Sequence, residues 1–311
     1  MDIIRDQQIA LDDALVAPAN RLKIGKSNFR LSSDLNSKEA TLQVVYDVLK
    51  LTPFYKAFQI TVDVLEIYMQ EFWATATVHH HSIRFKMNNK KHIVNLEYFR
   101  EMLQIFPKLP DHGEIKVITD VNVNKLHQPW RSFDAVINKC LSGKSTGYDS
   151  LRLSQAQILW GMYHKKNVDY AYLLWEDFVY PVENKNVKRS NEMYYPRFTK
   201  VIVKFFMTKD PSIPKRNRVN WHFAKDDQMF TTIKVVSRHE GTQLYGAILP
   251  DELTNEAIKD SKSYKEYYAI ASGAEPPKTK ASIKKKKIGS DKTKTPPTTK
   301  GKKTQDFSKN G

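Results

Sequence analysis

A single cysteine, Cys140, occurs in 311 residues. An intrachain disulfide is thereby excluded, and a reducing compartment, cytosol or nucleus, is the expected setting. The same scarcity excludes a zinc knuckle or any other cysteine-rich zinc module, which needs two or more thiolates to close its tetrahedral site. Long apolar runs are also lacking. Val201-Ile202-Val203 and Phe205-Phe206-Met207 are separated by Lys204, and nothing approaches the roughly 20 apolar residues of a membrane span. The first residues, MDIIRDQQIALDD, carry acids where a secretory signal carries bases. The expected protein is therefore nuclear or cytoplasmic, not secreted, and without a membrane partner.

Acids are in deficit as well, with 50 Lys and Arg against 34 Asp and Glu and a net charge of +16. That excess is unevenly spread. Pro276 to Gly311 holds twelve lysines and two aspartates, a charge of +10, which leaves +6 to residues 1–275. The tail's Lys, Thr, Pro and Ser composition predicts disorder. The remainder draws on a chain that is 41% hydrophobic and 11% aromatic, enough to bury a core.

The apolar period in that body is mostly helical. Leu42, Val45, Tyr46 and Leu49 share one face behind a capping-box spacing at Asn36 and Glu39. Thr52-Pro53 reads as the start of a second helix and Thr61 as the cap of a third bearing Leu65, Tyr68, Met69 and Phe72. The period then changes to two: Ile83, Phe85 and Met87 alternate with Arg84 and Lys86, and a hairpin returns through His92-Ile93-Val94. Helices follow behind Asn95, from Trp130 to Leu141, behind Ser154, from Asp169 to a stop at Pro181, from Pro196, and behind Ser263. A second hairpin is predicted at Thr231 to Val236 and Gln243 to Ile248. The expected fold is mainly α: a flexible arm at 1–35, one helical domain with two small β-hairpins at 36–275, and a disordered basic tail at 276–311.

No complete catalytic motif is present. Gly143-Lys144-Ser145 resembles the end of a phosphate loop, but position 138, where the first glycine belongs, is Asn138. Asp226-Asp227 lacks the aromatic residue that precedes the metal-binding aspartate pair of polymerases, and Ser145-Thr146-Gly147 has serine where an aspartic protease needs aspartate. No Gly-x-Ser-x-Gly elbow occurs. His79 and His81 would share one face of a strand with His92 on the paired strand, an arrangement that could hold a metal, yet no carboxylate completes the shell, and solvated histidines are the simpler expectation. No catalytic, metal or cofactor-binding residue is assigned, and the protein is expected not to be an enzyme.

Basic clusters are the remaining signal. Lys284, Lys285, Lys286 and Lys287 form a run that suits nuclear import or contact with phosphates. Lys185, Lys188, Arg189, Lys215, Arg216 and Arg218, near Tyr194, Tyr195 and Trp221, interleave bases with aromatics. Such a surface can pair phosphates and stack bases, although the same aromatics equally suit a helical core.

The stretch PWRSFDAVINKCLSGKSTGYDSLRLSQAQILWGMYHKKNVDYAYLLWEDFVY, Pro129 to Tyr180, resembles the "putative plant transposon protein" domain. The order of elements is similar: a strand pair and short helix at Phe85 to Pro107 including Leu103-Gln104-Ile105, a tryptophan helix at Trp130, then the paired helices of Ser154 to Asp177. The resemblance covers roughly residues 30 to 275, and similar segments lie in retrotransposon polyproteins of daisy-family plants. Relatives carry a longer acidic segment where this chain has only Lys108 to His112. The family supplies no catalytic residues to carry over. Together with the missing catalytic motifs and the +10 tail, it points to a non-enzymatic, transposable-element-derived helical protein that associates nonspecifically with DNA or RNA through that tail. The alternative is an interaction or assembly module of a polyprotein, with other element-encoded proteins or itself as partner. A transposase or integrase would need an acidic metal triad, which no spacing singles out.

Overall fold

The computed structural model describes residues 2–24, 30–105, 126–142, 151–164, 166, 168–187, 191–215 and 246–276. It is mainly helical. Eleven α-helices occur among the described residues, together with a three-stranded antiparallel sheet and a two-stranded parallel one. All of them belong to a unit spanning Met1–Ala274. No described helix is long and apolar enough to cross a membrane.

The first helix, α1 (Asp2–Leu15), falls in the segment read as an arm. It leads through Val16, which is buried, to β1 (Lys23–Ile24). Gln70 fastens this segment: its Oε1 accepts from Leu22 N at 2.8 Å and its Nε2 donates to Leu22 O at 2.7 Å. A buried side-chain amide thus stands in for a neighbouring strand. Next to it β1 runs parallel to β5 (Glu192–Met193).

Helix α2 (Ala40–Lys50) buries Leu42, Val45, Tyr46 and Leu49, as the period requires, but starts at Ala40. Asn36 makes no cap; Ser37 and Gln43 shape the entry instead, with Ser37 N donating to Gln43 Oε1 at 2.7 Å. Thr52 does not open the next helix either. Its hydroxyl donates to Leu49 O at 2.7 Å and closes α2, so α3 (Tyr55–Gln59) begins later. Helix α4 (Glu66–Thr75) buries Tyr68, Met69 and Phe72 and starts five residues past Thr61.

Strands β2 (Thr77–His79), β3 (Ser82–Met87) and β4 (Lys90–Asn95) form a meander in that order. Ile83, Phe85 and Met87 point to the core and Arg84 and Lys86 to solvent. The β3–β4 turn places Asn88 and Asn89 at φ 53° and 62°, the left-handed pair of a two-residue hairpin turn that asparagine tolerates. Buried Glu71 secures it: Asn88 N and Asn89 N donate to its two carboxylate oxygens at 2.6 and 2.8 Å. Those charge-assisted bonds offset the cost of burying the carboxylate. Glu71→Gln keeps only one acceptor, and a loss of about 2 kcal/mol is expected in chemical denaturation. A loss under about 0.5 kcal/mol, within the range of an ordinary surface change, would show that the turn holds itself.

Asn95 caps α5 (Leu96–Leu103), accepting from Tyr98 N at 3.0 Å. Helix α6 (Trp130–Ser142) buries Trp130, Phe133, Ile137, Cys140 and Leu141 on the expected face. Helix α7 (Leu153–Tyr163) starts one residue before Ser154, and its first turn closes through Gln155, whose Oε1 accepts from Arg152 N at 3.4 Å. Asp169 caps α8 (Tyr170–Glu183) by accepting from Tyr172 N at 3.0 Å. Pro181 lies inside α8 rather than ending it.

Helix α9 (Pro196–Lys209) has proline at its first position, as expected, after Tyr195 in the left-handed region at φ 50°. Helix α10 (Glu256–Asp260) precedes α11 (Lys262–Ala271), which Ser261, not Ser263, caps by accepting from Tyr264 N at 3.1 Å. Gly273, at φ +81°, ends α11. Of the second predicted hairpin, Gly246–Ile248 shows no strand and the rest lies outside the described residues, as do Lys108 to His112. The core converges on Phe178 of α8, whose ring lies 5.7 to 6.5 Å from those of Tyr195, Phe99, Phe72, Trp73, Trp175 and Phe198.

Candidate functional site

Beside Phe178, the polar residue Asp177 is fully buried and joins a hydrogen-bond network. Proline has no N–H, so Pro181 cannot donate to the carbonyl four residues back, Asp177 O. Arg152, just ahead of α7, supplies the missing donor: its Nη1 reaches Asp177 O at 3.1 Å. The same nitrogen donates to Asp177 Oδ1 at 3.1 Å and to the Tyr195 hydroxyl oxygen at 2.9 Å. Ser154 Oγ donates to Asp177 Oδ1 at 3.1 Å, and the Tyr195 hydroxyl donates to Oδ2. Burial, and then the Asp177 charge, hold the Tyr195 phenol well above its ordinary pKa, so it stays a donor. The Arg152 guanidinium also lies 4.7 Å from the centroid of the Tyr180 ring.

This network forms one wall of an open cleft of about 750 Å³. Its length follows the outer face of α8, where Tyr172, Glu176, Val179, Tyr180 and Glu183 succeed one another. Val78, His80, His81, Leu96, Asn138, Ser142 and the start of α7 also line it. Glu176 accepts from the Tyr172 hydroxyl at 2.6 Å. Arg152 and Asp177 neutralise each other across 3.1 Å. Neither Glu176 nor Glu183 is paired with a base among the described residues. The described lining therefore carries two uncompensated carboxylates and four aromatic side chains, Tyr172, Trp175, Tyr180 and Tyr194.

The Ser154 proton is committed to Asp177, and the described cleft brings no histidine into hydrogen-bond contact with Ser154. Cys140 is fully buried, and burial raises its thiol to a pKa of about 12, far from the thiolate a nucleophile needs. No group of three or more metal-ligating side chains occurs among the described residues. The expected histidine arrangement does not form: His81 lies in the turn after β2 rather than on a strand with His79, and the strand of His92 does not pair with β2. His92 sits on β4, separated from His79 by β3, and packs on Phe85 and Phe206 at centroid distances of 5.6 and 5.1 Å.

The second basic cluster divides. Lys185 turns inward, donating to Trp73 O at 3.3 Å and to Ala76 O; a cation there complements the carbonyl end of α4. Tyr195 is core, and Tyr194 packs on Trp73 at 6.3 Å. Lys215 is exposed past the end of α9. Arg216, Arg218, Lys188, Arg189 and Trp221 lie outside the described residues, as do Lys284, Lys285, Lys286, Lys287 and the Gly143-Lys144-Ser145 and Asp226-Asp227 motifs. Nothing in the sequence marks Arg152, Asp177, Glu176 or Glu183 as functional. The only cue is a proline four residues beyond an aspartate in an otherwise helical pattern.

In comparisons with protein-family models, curated proteins and solved structures, none matches this chain.

Proposed function

We propose that the chain is a non-enzymatic, transposable-element-derived protein whose basic tail associates with DNA or RNA without sequence preference. The observation that carries this reading is the partition of charge: +10 of the total +16 falls in residues 276–311. Lys284 to Lys287 are the densest part of it, and Lys215, Arg216 and Arg218 offer a second group of bases. The transposable-element origin rests on the order of sequence elements alone. Nuclear or cytoplasmic residence accords with the single, buried cysteine.

Binding of a mixed-sequence duplex at about 50 and 200 mM salt tests this. A tail that neutralises about five phosphates should lose roughly 500-fold in affinity over that range. Deleting residues 276–311 should remove most of the low-salt affinity. No binding at low salt, or no loss on deletion, would overturn the reading.

The second reading, an interaction or assembly module, is favoured by the open aromatic cleft along α8, which holds no catalytic arrangement among its described residues. Light scattering of the full chain is its first measurement.

A further inference from the structure

We propose that the cleft along α8 is a docking groove for a basic, extended segment of a partner protein. The proposal rests on the interaction-module reading and names the chemistry of the partner.

Charge complementarity carries the argument. Arg152 is matched by Asp177, so the described wall of the cleft is internally neutral. What remains is Glu176, held by the Tyr172 hydroxyl, and the exposed Glu183. Glu183 is exposed and Glu176 half-buried, in a chain whose net charge is +16. The overall field of such a chain repels a cationic ligand. A basic segment would settle here only because the local groups outweigh that field. The aromatic lining suits the same ligand, since lysine and arginine lay aliphatic stems on tyrosine rings while the charged head stays at the rim.

Spacing narrows the occupant's backbone. Glu176 and Glu183 are seven residues apart on α8, hence about 10 Å apart along its axis and on the same face. A polyproline-type segment rises about 3.1 Å per residue and repeats every three, which puts side chains i and i+3 on one face about 9 Å apart. Aromatic-lined grooves take such segments readily because little backbone entropy is lost. The geometry therefore fits a Lys-x-x-Lys pattern in an extended backbone.

Titration calorimetry of the full chain with the capped peptide Lys-Pro-Ala-Lys-Pro-Ala-Lys tests the proposal. Saturable binding is expected, and the peptide with glutamate for lysine should show none. The Glu176→Gln, Glu183→Gln double variant should bind the lysine peptide roughly tenfold more weakly, having lost two partly exposed ion pairs. Glu256→Gln, an exposed change outside the cleft, should leave binding unaltered. Thermal melts of the variants should lie close to that of the parent, since the amide oxygen of Glu176→Gln still accepts from the Tyr172 hydroxyl and Glu183 is exposed. Duplex affinity of the double variant should stay within twofold, so this proposal and the nucleic-acid reading fail separately. Equal binding of the glutamate peptide would show that charge does not select the occupant, and tighter binding would assign the cleft to an anionic partner; either overturns the proposal. A change of mass in light scattering on the double substitution would assign the cleft to a second copy of the chain and overturn it equally. Unchanged peptide affinity of the double variant would also overturn it.

Discussion

Asp177→Ala is expected to lower the unfolding free energy by about 4 kcal/mol, the range found when one partner of a buried ion pair is removed. Three donors lose their acceptor together. Arg152 Nη1 keeps the main-chain oxygen of residue 177 but loses its counter-charge, while the Ser154 and Tyr195 hydroxyls are left inside the body. In urea, with a slope of about 3 kcal/mol per molar, the midpoint should fall by roughly 1.3 M. Asp177→Asn retains one acceptor oxygen and should cost about half as much. The double change Asp177→Ala, Arg152→Met should cost less than the sum of its parts, because the methionine removes the stranded charge. A loss under about 1 kcal/mol for Asp177→Ala would mean that the network does not hold α7 to α8.

The second large effect has the opposite sign. Asp134 of α6 is buried, and among the described residues neither of its carboxylate oxygens has a hydrogen-bond partner. Burial alone pushes it up to about 7 from an ordinary 3.8. The folded state thus binds this proton more tightly than the unfolded state. Below about pH 3.8 both states are protonated and the site costs nothing by ionisation. Stability falls as pH rises from there towards 7, and above 7 the penalty is complete, about 4 kcal/mol. Asp134→Asn keeps the shape and cannot ionise. The variant should be more stable than the parent by about 4 kcal/mol at pH 8, and close to it at pH 4. Denaturant melts across pH 4 to 8 read this directly. A variant that is less stable at pH 8, or a difference that does not change with pH, would show that the carboxylate is compensated.

Both residues mark the limit of what periodicity carries. The apolar faces of α2 and α6 were legible because every third or fourth side chain repeats, whatever lies across the interface. Helix starts were less so, since a hydroxyl that could cap a helix has other claims on it. Ser154 donates to Asp177, 23 residues away, and Thr52 closes the helix before it rather than opening the one after. The β3–β4 hairpin was readable from alternation. Its clamp, Glu71, was not, because the pairing with Asn88 and Asn89 spans 17 and 18 residues of intervening chain. The basic clusters illustrate the converse. Charge is plain in sequence, but direction is not, and Lys185 spends its ammonium on carbonyls of the core. The cleft was invisible because its two glutamates are ordinary helix-surface residues until folding brings the rest of the lining to them.

The proline within α8 has a consequence for heredity. Arg152 occupies a carbonyl that only Pro181 leaves free. A lineage that loses Arg152 first leaves a bare acceptor and a buried carboxylate; one that loses Pro181 first gains a main-chain N–H aimed at a carbonyl already taken. The arginine answers for the helix's missing rung, so a change at either position alters what the other is asked to do.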